Sequence, residues 1–195
     1  MKIIYIIKIL LLLSLVGLIN CSDSNNLNEK NNAFDYNYPE DCCSSLGWST
    51  IMGEHEIGVR LFYPNIFTPN SNSENSIFYI HTNMLIDNIT STNIYSQEGN
   101  LVFENLNFEP NNPDQGWNGM VNGEFIEGVY KVIIEFQNPN GTNVKEEITI
   151  CSIECHQDLI FHYSEQGLNF DNCRWINQSD GEGSFDESIP VNECQ

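Results

Sequence analysis

Two cysteines and two histidines lie close together in the pattern Cys151-x3-Cys155-His156-x5-His162. Thiolate and imidazole are the side chains that bind zinc in structural sites. The spacing of these four residues matches no common zinc pattern, and cysteines of exported proteins more often form disulfides. The pattern therefore favours disulfide bonding, and we expect no metal here.

Two further groups contain ionisable side chains. Glu54-His55-Glu56 could supply acids and bases, but it occupies a short polar bridge between predicted strands, which indicates a solvated turn. An acidic group surrounds two glycines without EF-hand spacing, and its composition favours a disordered loop over a calcium site. Its members are Asp180, Glu182, Asp186 and Glu187.

No G-x-S-x-G sequence, which marks a serine nucleophile in many hydrolases, occurs in the chain. The sequence predicts no catalytic residue, no cofactor and therefore no enzyme. The sequence is more informative about the fold and the cellular location of the protein than about any reaction.

The charge of the chain excludes one class of partner. Seven Lys and Arg stand against 27 Asp and Glu, for a net charge of −20 among 195 residues. Such a surface repels nucleic acid and anionic lipid head groups. We therefore expect no nucleic-acid partner.

The N-terminal segment reads as an export signal. Lys2 and Lys8 precede a short apolar run that ends at Asn20-Cys21. The run is shorter than the roughly 20 residues that a transmembrane helix needs. The ending Leu18-Ile19-Asn20-Cys21 resembles a bacterial lipobox, so residues 1–20 are predicted to be a lipoprotein signal peptide. The alternative is an ordinary signal peptide that is cut elsewhere.

The number of cysteines supports lipidation independently. Seven is an odd number for an exported protein, so one thiol needs another role. If Cys21 carries fatty acyl chains such as palmitate, six cysteines remain and can form three disulfides in 15 connectivities. Several acyl chains on one cysteine would attach the protein permanently to a membrane, expected to be the bacterial outer membrane or cell surface. The disulfide candidates are Cys42, Cys43, Cys151, Cys155, Cys173 and Cys194.

Composition divides the rest of the chain into three parts. Residues 21–38 are rich in Asn, Asp and Ser and are predicted to be a flexible tether between lipid and domain. Residues 39–150 are predicted to form the domain, and residues 151–195 a Cys-rich tail that disulfides hold against it. Cys42 and Cys43 are adjacent, and a bond between them would be strained, so each should reach a different distant partner.

Short β-patterned runs fill residues 48–150. The strongest is Val129 to Phe136, where alternate residues are apolar, as a half-buried strand requires. Other predicted strands cover 48–52, 57–62, 77–80, 89–95, 101–103 and 144–150, with a possible extra strand at 159–163. About seven short strands separated by turns predict an all-β fold, an antiparallel immunoglobulin-like sandwich.

Residues 62–150 resemble the gliding motility-associated C-terminal domain, which is similar to the type B sorting domain of the type IX secretion system in Bacteroidota. Three blocks carry the resemblance: Pro64 to Asn70, matching P-N-V-F-T-P-N; Ile94 to Glu104, with Gly99; and Gly116-Trp117-Asn118-Gly119 followed by Gly128-Val129-Tyr130. Trp117 is expected to be a core residue between two sheets. The signature positions are Pro64, Asn65, Phe67, Pro69, Asn70, Tyr95, Gly99, Phe103, Gly116, Trp117, Gly119, Gly128 and Tyr130.

The resemblance implies a protein-docking or sorting module that associates with type IX secretion or gliding components. Residues 71–76 lack the two aspartates that the family carries in this loop, so a carboxylate calcium site is not expected there. The alternative function is a carbohydrate- or calcium-binding sandwich module on the cell surface.

Overall fold

The computed structural model describes residues 37–51, 58–83, 85–186 and 188. The described residues contain ten strands and one short α-helix. The strands are β1 (Trp48–Ile51), β2 (Val59–Phe62), β3 (Ile66–Phe67), β4 (His81–Thr82), β5 (Ile89–Tyr95), β6 (Leu101–Phe108), β7 (Met120–Val121), β8 (Glu124–Phe125), β9 (Gly128–Gln137) and β10 (Asn143–Ser152). The helix, α1, is Leu159–Ser164, and short 3-10 turns lie at 74–76, 113–115, 170–172 and 176–178.

The strands form two main sheets. A five-stranded sheet has the order β3-β10-β9-β5-β6, a three-stranded sheet the order β1-β2-β4, and β7 and β8 make a separate hairpin. All described pairs are antiparallel except β3 with β10, which is parallel. The predicted all-β sandwich is confirmed. The strand number exceeds the expected seven because β3, β4, β7 and β8 have only two residues each, too few to show a period of two.

The main core lies on one face of the five-stranded sheet, the face to which the alternate apolar residues of β9 point. Tyr130, Val132, Ile134 and Phe136 are all buried, and they pack with residues from both sheets. Full burial of such a side chain stabilises the fold by roughly 1.5–3 kcal/mol. The predicted strand at 77–80 is different in the structure: Phe78 makes a single bridge to Trp117, and β4 begins at His81.

A second core joins the beginning of the domain to the tail. Cys42 bonds to Cys151 and Cys43 to Cys173, across sequence separations of 109 and 130 residues. The two adjacent cysteines therefore reach different distant partners. Around them lie the other buried residues of this core, which are Ile66, Val129, Ile153, Leu159, Tyr163, Leu168 and Trp175.

The possible strand at 159–163 is wrong, because this segment is helix α1. Leu159 and Tyr163 are both buried, and a separation of four residues places two side chains on one face of a helix. In a strand the same spacing would also share a face, but Phe161 would then lie between them on that face. Phe161 is instead 65% exposed.

Several predictions fall on residues outside the described ranges. They are the signal peptide, Cys21, most of the tether, Glu54-His55-Glu56, Glu187 and Cys194. Within the described ranges, no helix combines the length and the hydropathy that a membrane crossing requires.

Candidate functional site

The first and third signature blocks meet in one aromatic cluster. The Trp117 ring lies 5.4 Å from that of Phe67 and 4.8 Å from that of Tyr130, measured between centroids. Trp117 Nε1 donates to the Met120 carbonyl at 3.3 Å, and the Tyr130 hydroxyl donates to the Ile126 carbonyl at 2.9 Å. Both polar atoms of these buried rings are therefore satisfied, as buried Trp and Tyr require. The expectation that Trp117 is a core residue is confirmed, since it is 2% exposed.

Two signature glycines leave room for this packing. A Cβ on Gly119 would lie 2.2 Å from Pro69 Cγ, and one on Gly116 would lie 2.6 Å from the Phe78 carbonyl oxygen. Gly119 also has a φ of +75°, which L side chains rarely adopt. The Gly-Trp-Asn-Gly sequence therefore fits closely against the first block at Gly119 and against Phe78 at Gly116.

Asn65 connects the first block to the tail. Its Nδ2 donates to the carbonyls of Ser45 at 2.6 Å and Asn172 at 3.0 Å, and its Oδ1 accepts from the Arg174 N–H at 2.7 Å. Its backbone carbonyl accepts from the Cys151 N–H at 2.9 Å. The side chain is fully buried, so this signature asparagine stabilises the start of the domain against residues more than 100 positions later.

Asn70 and the following loop have the same kind of role. Asn70 Oδ1 accepts from the Cys155 N–H at 2.8 Å. Hydroxyl groups bond to one another in this loop: Thr68 Oγ1 donates to Ser71 Oγ at 3.0 Å, and Ser73 Oγ lies 2.9 Å from Ser71 Oγ. The loop is thus closed by neutral hydrogen bonds between its own side chains.

The second signature block lies apart from this cluster. Gly99 has a φ of +85° in the turn between β5 and β6, where its N–H donates to the Ser96 carbonyl at 2.9 Å. Phe103 is partly buried against the main core, and Tyr95 is partly exposed. A groove of about 420 Å³ separates this turn from the β7–β8 hairpin, with Tyr130 in its lining. Of the signature, Pro64 is also buried, and Gly128 begins β9 opposite Ser152.

Glu127 is a structural residue that sequence reasoning missed. Its Oε1 accepts from the Tyr38 hydroxyl at 3.0 Å, from the Glu154 N–H at 2.7 Å and from the Tyr163 hydroxyl. Burial raises the pKa of this carboxyl, but the hydrogen bonds and nearby His156 outweigh burial and hold its pKa below the ordinary value. No local sequence pattern predicts these hydrogen bonds, because the donors are 27 to 89 residues distant from Glu127.

In the suspected zinc pattern, both cysteines form disulfides and the two histidine rings contact each other. Cys151 is bonded to Cys42, and Cys155 is disulfide-bonded as well. The rings of His156 and His162 lie 4.2 Å apart between centroids. In the part of the chain that the structure describes, no three His, Cys, Asp or Glu side chains are grouped to hold a metal ion.

The described part of the acidic loop, residues 179–186, is held by hydrogen bonds and a ring contact, in contrast to the predicted disorder. Asp180 Oδ1 accepts from the N–H groups of Glu182 and Ser184, both at 2.8 Å, and Ser179 bridges Phe185. Phe185 stacks on Phe62, with 6.3 Å between ring centroids, and so attaches the loop to β2. Composition alone missed this because the hydrogen bonds of Asp180 and the contact of Phe185 with Phe62 depend on the folded arrangement.

Comparison with known families agrees with this geometry. Residues 61–150 match the family described as CHU_C Type IX secretion signal domain. The match confirms the resemblance over the segment that holds all three blocks. No curated protein matches the chain. A domain of this family implies a secreted or cell-surface protein associated with type IX secretion or gliding.

Proposed function

We propose, from the type IX secretion signal domain that residues 61–150 form, that this protein is a non-enzymatic exported lipoprotein whose sandwich is a docking or sorting module. The observation that carries the proposal is the family match together with the burial of the large side chains of its first and third blocks, Phe67, Trp117 and Tyr130. These side chains stabilise the fold and are not accessible to a substrate. Asn65, Phe67 and Trp117 are all buried, Asn65 forms hydrogen bonds within the protein, and the rings of Phe67 and Trp117 contact each other.

Lipidation at Cys21 is the second part of the proposal. It is supported by the cysteine inventory, because Cys42, Cys43, Cys151, Cys155 and Cys173 are all disulfide-bonded and cannot be the odd thiol. Cells grown with an alkyne fatty acid should incorporate the label into the wild-type protein and not into Cys21→Ala. Globomycin, which blocks lipoprotein signal peptidase, should make the unprocessed form accumulate. An unlabelled wild-type protein would remove this part of the proposal.

Sorting can be separated from docking with a fused reporter. Because β10 and the tail complete the fold, the fusion should carry residues 22–195 behind the reporter rather than the family segment alone. We expect the reporter on the surface of a cell with a working type IX channel, and inside the outer membrane of a strain lacking that channel. Equal surface delivery in both strains would contradict sorting and leave docking as the function.

A further inference from the structure

Strand β6 is the outer strand of the five-stranded sheet, and no described strand pairs with its other side. It has eight residues, whereas strands in globular proteins commonly have five or six. An outer strand of this length presents a row of backbone N–H and C=O groups to any extended chain.

Only part of the usual protection of outer strands is present in β6. Lysine, proline and bulges keep such strands from pairing with other chains, and β6 contains neither lysine nor proline. Its irregularities lie near its ends: Val102 is skipped in the register with β5, and Asn107 has a φ of +52°. Between them, Phe103 to Leu106 keep a regular register. Leu101 and Leu106 are 51% and 53% exposed.

The groove of about 420 Å³ continues from the first residues of β6. Apolar side chains contribute to its lining, among them Leu101, Val102, Val121 and Ile126. Glu98 and Glu127 also line it, without any Lys or Arg. Exposed Glu104 adds a third carboxylate on β6 itself. The open side of β6 and the groove together are named the acidic edge.

Charge decides which occupant the acidic edge fits. A second copy of this chain would bring like charges together, because each copy carries a net charge of −20. An extended segment in which basic and apolar residues alternate would pair with the β6 backbone and place its cations on the face that exposed Glu104 and Leu106 share, with its apolar side chains on the opposite face. This mode of recognition is strand addition, in which main-chain hydrogen bonds supply affinity and side chains supply specificity.

We propose that the acidic edge binds an extended, basic segment of a partner protein by strand addition to β6. The inference deepens the docking role proposed above and rests on it. It names the chemistry of the partner and the surface it uses, the side of Leu101–Leu106 that faces away from β5.

The test uses the full mature chain, labelled with ¹⁵N, and the peptide acetyl-Lys-Val-Lys-Val-Lys-Val-amide as the probe. We expect the peptide to slow hydrogen exchange of backbone amides within 101–106 several-fold, and the peptide with Glu in place of Lys to have no effect. Leu106→Lys should abolish this protection, because it places a like charge and a pairing-blocking side chain on the edge. Thr142→Lys, at the exposed turn between β9 and β10, adds the same charge elsewhere and should leave protection intact.

Three results would overturn the inference. Protection that maps away from β6 is the first, and an equal effect of the two lysine variants, which would indicate diffuse electrostatic attraction, is the second. The third is a concentration-dependent dimer in sedimentation that protects β6 without peptide, since a second copy would then be the occupant. Failure of the reporter fusion in both strains, with peptide protection of β6 intact, would contradict sorting and leave the acidic edge standing.

Discussion

Individual signature residues have roles that follow from steric fit. Gly119 is the sharpest case, since both its backbone conformation and its contact with Pro69 exclude a side chain. Gly116 has only the steric reason, because its φ is not positive. Glycine is therefore required at Gly116 by steric contact alone, and at Gly119 by both steric contact and backbone conformation.

Gly119→Ala should destabilise the protein more than Gly123→Ala. Both positions have a positive φ, for which an alanine costs about 1–2 kcal/mol, but a Cβ on Gly123 meets no atom within 4 Å. The contact with Pro69 should add roughly 1–3 kcal/mol to the cost at Gly119. Urea unfolding followed by tryptophan fluorescence gives both values. Equal midpoints for the two variants would show that backbone conformation alone selects the glycine.

His81 should make the stability depend on pH. Burial lowers its pKa from the ordinary 6.5 to about 4, with Asp180 opposing the shift, and its Nδ1 hydrogen-bonds to Ser179 Oγ. Between these two pKa values the unfolded chain binds more protons than the folded one, so stability falls as pH decreases from 6.5 towards 4. Urea midpoints measured across this window should decline for the wild type. His81→Gln should flatten that decline, and an unchanged slope would assign it to other groups, such as Glu127 at its lower end.

A strand or helix could be predicted from the sequence where burial of one face imposes a regular spacing of apolar residues. Strand β5 agrees with its predicted bounds, and β9 extends its predicted run by one residue at each end, because one face of each strand is buried in the main core. The two-residue strands have no period to detect, and α1 has a single buried spacing of four. The role of Asn65 was equally inaccessible, since Asn172 and Arg174 reach it only through the completed fold.

Asn65→Ala should loosen the connection between β3 and the tail. It would leave the Ser45 and Asn172 carbonyls and the Arg174 N–H without their partner. Unsatisfied buried groups cost about 1–3 kcal/mol each, partly relieved by water, so we expect a loss of about 2–4 kcal/mol. Exposed Asn140, whose Oδ1 accepts from the Thr142 N–H, provides the control and should lose about 1 kcal/mol or less as alanine. Calorimetry of both variants would settle the comparison, and similar transitions would contradict the role given to Asn65.

The disulfides Cys42–Cys151 and Cys43–Cys173 should stabilise the fold to a similar extent. Their loops differ little in length, with separations of 109 and 130 residues, and each bond is typically worth about 2–4 kcal/mol. The double variants Cys42→Ser/Cys151→Ser and Cys43→Ser/Cys173→Ser should therefore lower the unfolding free energy comparably. A null effect of one pair in guanidinium titration would mean that the second core holds without it.

The whole molecule is larger than its family segment. A chain ending at Ile150 would lose Cys151, Tyr163, Cys173 and Trp175, and with them most of the second core. We expect this truncated chain to show little near-ultraviolet circular dichroism and to be cleaved rapidly by proteases. The full mature chain should show a strong near-ultraviolet signal and resist proteolysis. A protease-resistant truncated chain would show that residues 61–150 fold without the tail.

The adjacent cysteines also determine how the molecule would carry a mechanical load. A force applied between Asn37 and Ser188 passes along the chain to Cys43, crosses to Cys173 and continues, so the 130-residue loop between them bears no tension. The sandwich and its acidic edge lie within that loop. A surface protein pulled from both ends would thus keep its recognition surface folded under forces that unravel ordinary sandwiches. Reduction of this bond and of Cys42–Cys151 would release about 450 Å of extensible chain, at 3.3–3.6 Å per residue.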